Sequence, residues 1–210
     1  DLIKNSALNA LMSGSGSSIF GIFKNKSEAE AAFIKLRKKY GLPLKKSIVV
    51  FAGRFVEKKV FDKVFDARSE DYLTLFVGEG IVPEYMKKDK LVKFLEEVPQ
   101  KKLSEIYQLS DIFVLPSVNE GFPLTILEAM SSSLPIITSD NEGYRDYLDA
   151  NYVELIKPTS KELKKSIIKI IKDKALCNKM KNYSMREAVN KFGWDENAKT
   201  LLKIYKEFLK

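Results

Sequence analysis

Short apolar runs recur along most of the chain, and each stops at a residue that interrupts regular structure. The run at 47–52 ends at Gly53, and the run at 72–77 ends at Gly78. Continuous apolar runs of this length are typical of strands buried on both faces of a parallel sheet. The predicted strands are 47–52, 72–77, 111–115 and 134–138, with 91–95 and 152–156 as weaker candidates.

Helix-like stretches separate these runs. They lie at 59–68, 101–109, 123–132 and 143–149, and three more follow at 160–173, 175–191 and 194–210. In the first of those three, Ser160 is the expected N-cap, and the apolar face is formed by Leu163, Ile167, Ile170 and Ile171. Strands alternating with helices predict an α/β domain over 47–210, a Rossmann-like parallel sheet with helices on both faces.

The first 46 residues follow another pattern. They predict a helix at 1–12, a flexible Ser/Gly linker or loop at 13–18, a strand at 19–23 and a helix at 27–40. The strand is too apolar to remain exposed, so we expect this short strand–helix element to pack on the domain. The predicted division is therefore 1–46 for the N-terminal element and 47–210 for the main domain.

Charge and composition narrow the classes of function. The net charge is +8, but the chain shows no basic surface interleaved with aromatic residues. A solvated Lys-rich surface is thus favoured over nucleic-acid binding, and attraction to anionic substrates or an anionic membrane surface is the next alternative. No run approaches the roughly 20 apolar residues of a membrane span, and no signal peptide is recognised. With one cysteine and no histidine, the sequence predicts no zinc site and a cytoplasmic location.

Two carboxylates eight residues apart are the main candidate for chemistry. Glu120 precedes a Gly-Phe-Pro turn, and Glu128 lies in the second turn of the helix that Pro123 is expected to begin. A carboxylate among apolar neighbours is costly to bury without partners, so Glu128 should have a ligand or a fixed hydrogen-bond partner. The alternative is a solvent-facing glutamate or one paired with a lysine. The free N–H groups at the helix start would suit a diphosphate, and the carboxylates would suit sugar or ribose hydroxyls.

Ligands of open parallel sheets bind beyond the carboxyl ends of the strands. The segments that follow predicted strands are 53–54, 78–80, 117–122 and 140–143. We expect them to converge on one crevice.

From about residue 36 onwards, a series of motifs resembles the C-terminal, donor-binding half of GT-B glycosyltransferases, in particular the retaining enzymes of group 1. The matching stretches are Leu-Arg-Lys-Lys-Tyr-Gly-Leu-Pro at 36–43, Phe-Ala-Gly-Arg-Phe-Val-Glu-Lys-Lys at 51–59, Ser-Asp-Ile-Phe-Val-Leu-Pro-Ser at 110–117, and the Glu120…Glu128 pair. Trp194 and the closing helix also fit.

The resemblance implies roles for individual residues. Arg54 and Lys59, in the motif that Gly53 opens, would hold the donor diphosphate; Glu120 would contact the donor sugar and Glu128 the ribose. Backbone N–H groups around the segment that follows Glu120 would meet sugar and phosphates, at Gly121, Phe122, Leu124 and Thr125. The loop around Val98 would flank the base. No metal or separate cofactor is implied, because the nucleotide-diphosphate sugar is the substrate.

Three positions depart from the family pattern. Val60, Glu96 and Ser133 stand where glycine is usual or frequent. A left-handed backbone at any of them would cost about 1–3 kcal/mol. Because Val60 bears on the placement of Lys59, Lys58 is an alternative diphosphate ligand.

The N-terminal element resembles a different family. Residues 11–20 with 27–36 are similar to the C-terminal Gly-rich segment of GHMP-type kinases, such as the diphosphocytidyl-methylerythritol kinases. The remainder of that fold is not recognised, so the resemblance suggests a borrowed element and a chimeric chain, natural or engineered. The N-terminal half of a GT-B enzyme is not recognised either, and another domain or a partner chain would have to supply it.

Three hypotheses follow. The first is a glycosyltransferase donor domain for retaining transfer, and the second is a non-catalytic or chimeric scaffold that keeps a nucleotide-sugar crevice. The third, and weakest, is a fragment of a small-molecule kinase. A panel of nucleotide-sugars and ATP would distinguish them, since a ligand at 100 times its Kd stabilises the fold by about 2.7 kcal/mol.

Overall fold

Six parallel strands form the central sheet of the computed structural model, which describes residues 9–12, 19–118 and 120–209. The strands are β3 (Ser47–Ala52), β4 (Tyr72–Val77), β5 (Val92–Leu95), β6 (Ile112–Leu115), β7 (Ile136–Ser139) and β8 (Glu154–Ile156). Their order across the sheet is β5-β4-β3-β6-β7-β8. All six predicted strands are confirmed, as is the Rossmann-like α/β class.

The centre of the sheet is the most deeply buried part of the chain. Every residue of β4 and of β6 is buried. At the centre of β3, Val50 pairs with Leu75 on one side and Phe113 on the other. Strands covered on both faces cannot alternate apolar and polar side chains, which explains the continuous apolar runs in the sequence.

A helix lies between each pair of consecutive strands of this sheet, as the crossovers of a parallel sheet require. The helices are α2 (Phe61–Asp66), α3 (Glu84–Lys87), α4 (Gln100–Gln108), α5 (Leu124–Ser131) and α6 (Glu142–Arg145), followed by α7 (Ser160–Lys172), α8 (Lys174–Asn190) and α9 (Trp194–Phe208). The one-turn helix α3 was not predicted, and α6 is shorter than the predicted stretch 143–149. Ser160 as N-cap is wrong: Thr159 caps α7, and its Oγ1 accepts the N–H of Glu162 at 3.3 Å.

The N-terminal element is only partly as predicted. Strand β2 (Ile19–Ile22) and helix α1 (Lys26–Lys39) are confirmed, but β2 pairs antiparallel with a second strand, β1 (Asn9–Met12). The predicted helix at 1–12 is therefore wrong over β1, because pairing with β2 outweighs local helix propensity. Residues 1–8 and the predicted linker 13–18 lie outside the described residues.

Arg37 joins α1 to the main domain. Its guanidinium, almost fully buried, donates to the carbonyl oxygens of Pro43 (2.9 Å), Lys46 (3.1 Å) and Leu109 (2.9 Å) and to Asp111 Oδ2 (3.1 Å). The same carboxylate oxygen accepts the N–H of Ile48 at 2.8 Å. One side chain thus links α1, the start of β3 and the segment before β6.

Helix α9 differs from the helices that cover the sheet. Its side chains from residue 197 onwards are all exposed, including those of Leu201, Tyr205 and Phe208. Over the described ranges, no helix combines the length and apolar character that a bilayer crossing requires.

Candidate functional site

Close backbone contact between the loops after β3 and β4 shapes a crevice at the carboxyl edge of the sheet. Gly53 donates its N–H to the Val77 carbonyl at 3.0 Å. Gly78 has φ +147°, and a Cβ built on it would lie 2.1 Å from the Gly53 carbonyl oxygen. A side chain at position 78 would clash with the Gly53 backbone, so only glycine fits there. The two loops therefore approach each other through backbone atoms alone, and a space remains beside them.

A cavity of about 180 Å³ occupies that space. Four of the residues predicted for the site line it: Gly53, Arg54, Val98 and Thr125. The structure therefore brings together the loops after β3, β4 and β5 and the start of α5, as the sheet topology predicts. The described residues of the other two segments predicted to converge here, 117–122 and 140–143, do not line this cavity. They lie close to each other, since a Cβ on Gly143 would be 3.7 Å from the Glu120 carbonyl oxygen.

Glu120 forms ion pairs with both motif lysines. Its Oε2 is 2.6 Å from Lys59 Nζ, and its Oε1 is 3.3 Å from Lys58 Nζ. The Glu120 and Lys59 side chains are only 10% and 12% exposed, whereas Lys58 is 49% exposed. Burial by itself would raise the pKa of Glu120, but the hydrogen bond and charge of Lys59, with hydrogen bonds from Lys58 and Ser117, outweigh it, and the net pKa lies below the ordinary value. Glu120 is therefore a carboxylate at neutral pH.

The turn that carries these lysines is strained. A short 3₁₀ turn, Glu57–Lys59, ends at Val60, whose φ of +55° is left-handed and unfavourable for a β-branched residue. The Val118 N–H donates to the Lys58 carbonyl at 2.8 Å and so ties the loop after β6 to this turn. Of the three departures from the family pattern, Val60 and Ser133 (φ +58°) have positive φ, but Glu96 does not. Each left-handed residue costs about 1–3 kcal/mol.

Glu128 is held by helix α4. Gln100 Nε2 donates to its Oε1 at 3.1 Å, and the Tyr107 hydroxyl donates to its Oε2 at 3.4 Å. Tyr107 is fully buried, and burial, reinforced by the Glu128 charge, raises its pKa well above the ordinary value. Glu128 thus has fixed hydrogen-bond partners, one of the two alternatives that its sequence context predicts.

Two features at the turn before α5 differ from what the sequence suggested: the residue at which the helix begins and the exposure of Leu124. Pro123 is the N-cap of α5, so the helix begins one residue later than predicted, at Leu124. The Leu124 side chain is 73% exposed and does not help to bury Glu128. Gly121 is exposed, and Phe122 stacks on Tyr147 and Phe192 with ring centroids 4.9 and 5.5 Å apart. Phe122 therefore anchors the turn, which leaves backbone N–H groups as the polar groups that this turn offers.

Sequence reasoning missed several polar side chains around the two carboxylates. Gln100 and Tyr107 contact Glu128, and the hydroxyls of Ser117 and Tyr144 are 2.7 Å apart in the buried interior near Glu120. The sequence marks Tyr107 and Tyr144 only as aromatic residues of predicted helices. Their hydroxyl partners come from distant segments, so no local pattern could identify them.

Comparison with known proteins shows two family matches. A family model described as "Glycosyl transferases group 1" matches residues 32–187, which is most of the chain. A second, "GHMP kinases C terminal", matches residues 1–42. The two overlap over residues 32–42, which include the second half of α1, and the second match rests on a segment that the structure describes only in part.

Curated relatives agree with the first match. The chain is 32% identical over 130 residues to the "Putative teichuronic acid biosynthesis glycosyltransferase TuaC" of Bacillus subtilis, covering 60% of this chain and 33% of that protein. It is 29% identical over 190 residues to the "Alpha-galactosylglucosyldiacylglycerol synthase" of Streptococcus pneumoniae, covering 83% and 48%. The chain spans about half or less of the length of these relatives.

Solved structures show the same fold. HepE from Anabaena in complex with UDP-glucose superposes with a TM-score of 0.74 at 19% identity, covering 83% of this chain and 52% of that one. The C-terminal domain of LpcC, a glycosyl transferase group 1 protein from Francisella tularensis, gives 0.65 at 21% identity and covers 76% of this chain and 92% of that domain. The sheet order, the crevice at its carboxyl edge and the match over residues 32–187 agree, and the chain belongs to the group 1 glycosyl transferases, with the Rossmann-like fold of one half of a GT-B enzyme.

Proposed function

We propose that this chain binds a nucleotide-diphosphate sugar in the crevice and presents it for retaining glycosyl transfer. Three observations support the proposal. Arg54 lines the cavity together with Thr125 of α5, Lys59 pairs with Glu120 in the loops that follow β3 and β6, and Glu128 lies in α5 itself. Two cations and the N–H groups at the start of a helix suit a diphosphate, and two carboxyl groups suit hydroxyl groups. The donor would span from the cavity near Val98, for the base, to Glu120, for the sugar.

Lys59 must change partner when such a donor binds. In the ligand-free chain its ammonium is paired with Glu120 at 2.6 Å. A diphosphate carries more charge than one carboxylate, so it would draw Lys59 away and leave Glu120 free to accept a sugar hydroxyl. Lys58, which is half exposed beside the same carboxylate, would retain a countercharge there.

In the proposed reaction the bond between the anomeric carbon and the diphosphate oxygen breaks, and a bond to the acceptor oxygen forms on the same face. The acceptor proton passes to the leaving diphosphate. No covalent intermediate is invoked, so the rate would depend on positioning and on stabilising the leaving group. Arg54 and Lys59 are the residues proposed to stabilise that charge.

For the 210-residue chain taken by itself, a donor-binding scaffold without turnover is a second candidate, because these residues match only about half the length of relatives such as the Streptococcus synthase. A kinase fragment is a weaker third candidate, based on the match at residues 1–42.

We further propose a cytoplasmic location, with the Lys-rich surface of this +8 chain attracted to anionic membranes. Co-sedimentation with vesicles of anionic and of neutral lipid tests that part.

Calorimetric titration tests the proposed function. The panel is UDP, GDP, ADP, their glucose conjugates and ATP, and UDP-glucose is included because the similar HepE was solved with it. We expect a nucleoside diphosphate and its sugar conjugate to bind. Arg54→Ala should weaken both by roughly tenfold or more, because a charge-assisted hydrogen bond is worth about 1.5–3 kcal/mol.

Lys90→Ala is the matched control, since Lys90 is an exposed cation before β5, at the opposite edge of the sheet. It should leave affinity unchanged. Melting temperatures of both variants should match the parent. Binding of ATP alone would favour the kinase fragment, and an Arg54→Ala variant with parental affinity would contradict the assignment of Arg54.

A further inference from the structure

We infer that Tyr107, assisted by Gln100, is a positioning residue that orients the Glu128 carboxylate towards the ribose of the donor and so makes the site selective for ribonucleotides. The inference rests on the proposed function and goes beyond it, because it assigns the selectivity to helix α4. Both residues lie on α4, which begins two residues after Val98, the residue proposed to flank the base.

Helix α4 contacts both oxygens of the Glu128 carboxylate. Gln100 donates to Oε1 at 3.1 Å from the solvent side, and Tyr107 donates to Oε2 at 3.4 Å from the interior. Contacts to both oxygens fix the plane of the carboxylate. A carboxylate held in one plane suits two adjacent ribose hydroxyls, because each of its oxygens can accept a hydrogen bond.

Apolar packing explains why the Tyr107 ring is buried, but it does not explain why the ring carries a polar hydroxyl. The ring is fully buried and packs edge-on against Phe113, with centroids 5.9 Å apart. Phenylalanine would fill the same space without placing a polar group in the interior. A buried hydroxyl without a partner costs free energy, and the partner found here is Glu128.

The length of the Tyr107 contact agrees with a positioning role. At 3.4 Å it is long for an O–H···O hydrogen bond. Hydrogen bonds in ligand-free sites are often long and tighten in the complex. We expect ribose to pull the carboxylate into one orientation, in which the Tyr107 bond shortens.

The experiment compares two ligands on two variants. The ligands are whichever of UDP, GDP or ADP binds the parent most tightly, and its 2′,3′-dideoxy analogue. We expect the parent to prefer the ribonucleotide. Tyr107→Phe should reduce ribonucleotide affinity about fivefold to tenfold and leave the affinity for the dideoxy analogue unchanged, so that the preference falls by the same factor.

Tyr72→Phe is the control, because Tyr72, at the start of β4, is as fully buried as Tyr107, and its hydroxyl donates to the Ala67 carbonyl, away from the crevice. Its preference for ribose should match the parent. If Tyr107→Phe does not fold, Gln100→Met, which alters an exposed side chain, should lower the preference on its own.

The outcomes separate the two proposals. The first outcomes concern a parent that binds the nucleoside diphosphate. If Tyr107→Phe then weakens the binding of both ligands equally, or leaves the preference for ribose unchanged, the role of Tyr107 is merely structural and the inference is wrong. If the parent binds no nucleoside diphosphate, the proposed function fails, and the inference fails with it.

Discussion

The buried ion pair between Glu120 and Lys59 sets the charge of the crevice. Both side chains are nearly inaccessible, and their charged atoms are 2.6 Å apart. Removing Glu120 would leave the Lys59 charge uncompensated in a poorly solvated place, which is far more destabilising than losing an exposed pair. The pair therefore supports the folded state and balances the charge of the ligand-free crevice.

The lowered pKa of Glu120 makes its contribution to stability depend on pH. A carboxyl whose pKa is lower in the folded chain stabilises it in full above its unfolded pKa of about 4.3, and this contribution is lost as the pH falls through the folded value. We expect Glu120→Gln to be less stable than the parent at pH 7. The difference in unfolding free energy should shrink steadily below about pH 4.5, because the protonated parent then resembles the variant.

Urea unfolding of the two proteins between pH 3 and pH 7 measures this difference. Glu70→Gln serves as the control, because Glu70 is 86% exposed and pairs with Lys46 at 3.5 Å. A Glu120→Gln difference that does not depend on pH would contradict the proposed ionisation.

The site residues that could be predicted from sequence are those that sit in contiguous motifs. The pair Glu120 and Glu128, and Arg54 with Lys59, follow from local stretches. The left-handed backbone at Val60 follows from the family's glycine at that position. Tyr107 could not be predicted as a partner of Glu128, because that contact joins α4 to α5 and depends on how the two helices pack.

At the scale of elements, Arg37 is the main link between α1 and the sheet. Its guanidinium satisfies three carbonyl oxygens and Asp111 at once. Arg37→Met should lower the free energy of unfolding by roughly 2–3 kcal/mol, somewhat less than for a fully buried pair because Asp111 is 39% exposed. Urea denaturation measures the loss, and hydrogen exchange should show α1 opening before the sheet.

Arg186→Met is the matched control, since Arg186 is exposed and pairs with its neighbour Glu187. It should change stability by no more than about 0.5 kcal/mol. Equal stability of the Arg37 and Arg186 variants would show that α1 is not held by its guanidinium.

The elements predicted correctly and those missed differ in how much local signal they carry. The four central strands were predicted because burial on both faces makes each a mostly apolar run. The outer strands β5 and β8 are only partly buried and contain Lys93 and Glu154, so their signals were weaker. The four-residue helix Glu84–Lys87 is too short to show a helical period. Strand β1 was predicted as helix because Ala10, Leu11 and Met12 are good helix formers, and pairing with β2, with Met12 opposite Ile19, outweighs that local propensity.

At the scale of the whole molecule, the described residues form one wall of the proposed reaction site. Closure of a second domain over a donor excludes water and completes an acceptor site. We therefore expect the 210-residue chain alone to bind donor and yet transfer sugar far below ordinary enzyme rates of about 1 s⁻¹. Turnover of radiolabelled UDP-glucose with mixed lipid and glycan acceptors measures this.

The Arg54→Ala chain is the negative control for that assay, since its weaker donor binding should lower sugar transfer further. Transfer by the parent at 1 s⁻¹ or faster, on the ordinary scale of about 1–1000 s⁻¹, would contradict the prediction. It would mean that a second copy of the chain or another protein supplies the acceptor wall.

The all-parallel order of the sheet has a kinetic consequence. Val49 in β3 pairs with Ile112 in β6 across a long stretch of chain that contains β4, β5 and their helices. No hairpin can therefore nucleate the sheet, and each ladder must first close a long loop against chain entropy. Folding should be slow for this size, and its rate-limiting step should be the meeting of β3 with β6, where the two halves of the sheet become one cooperative unit.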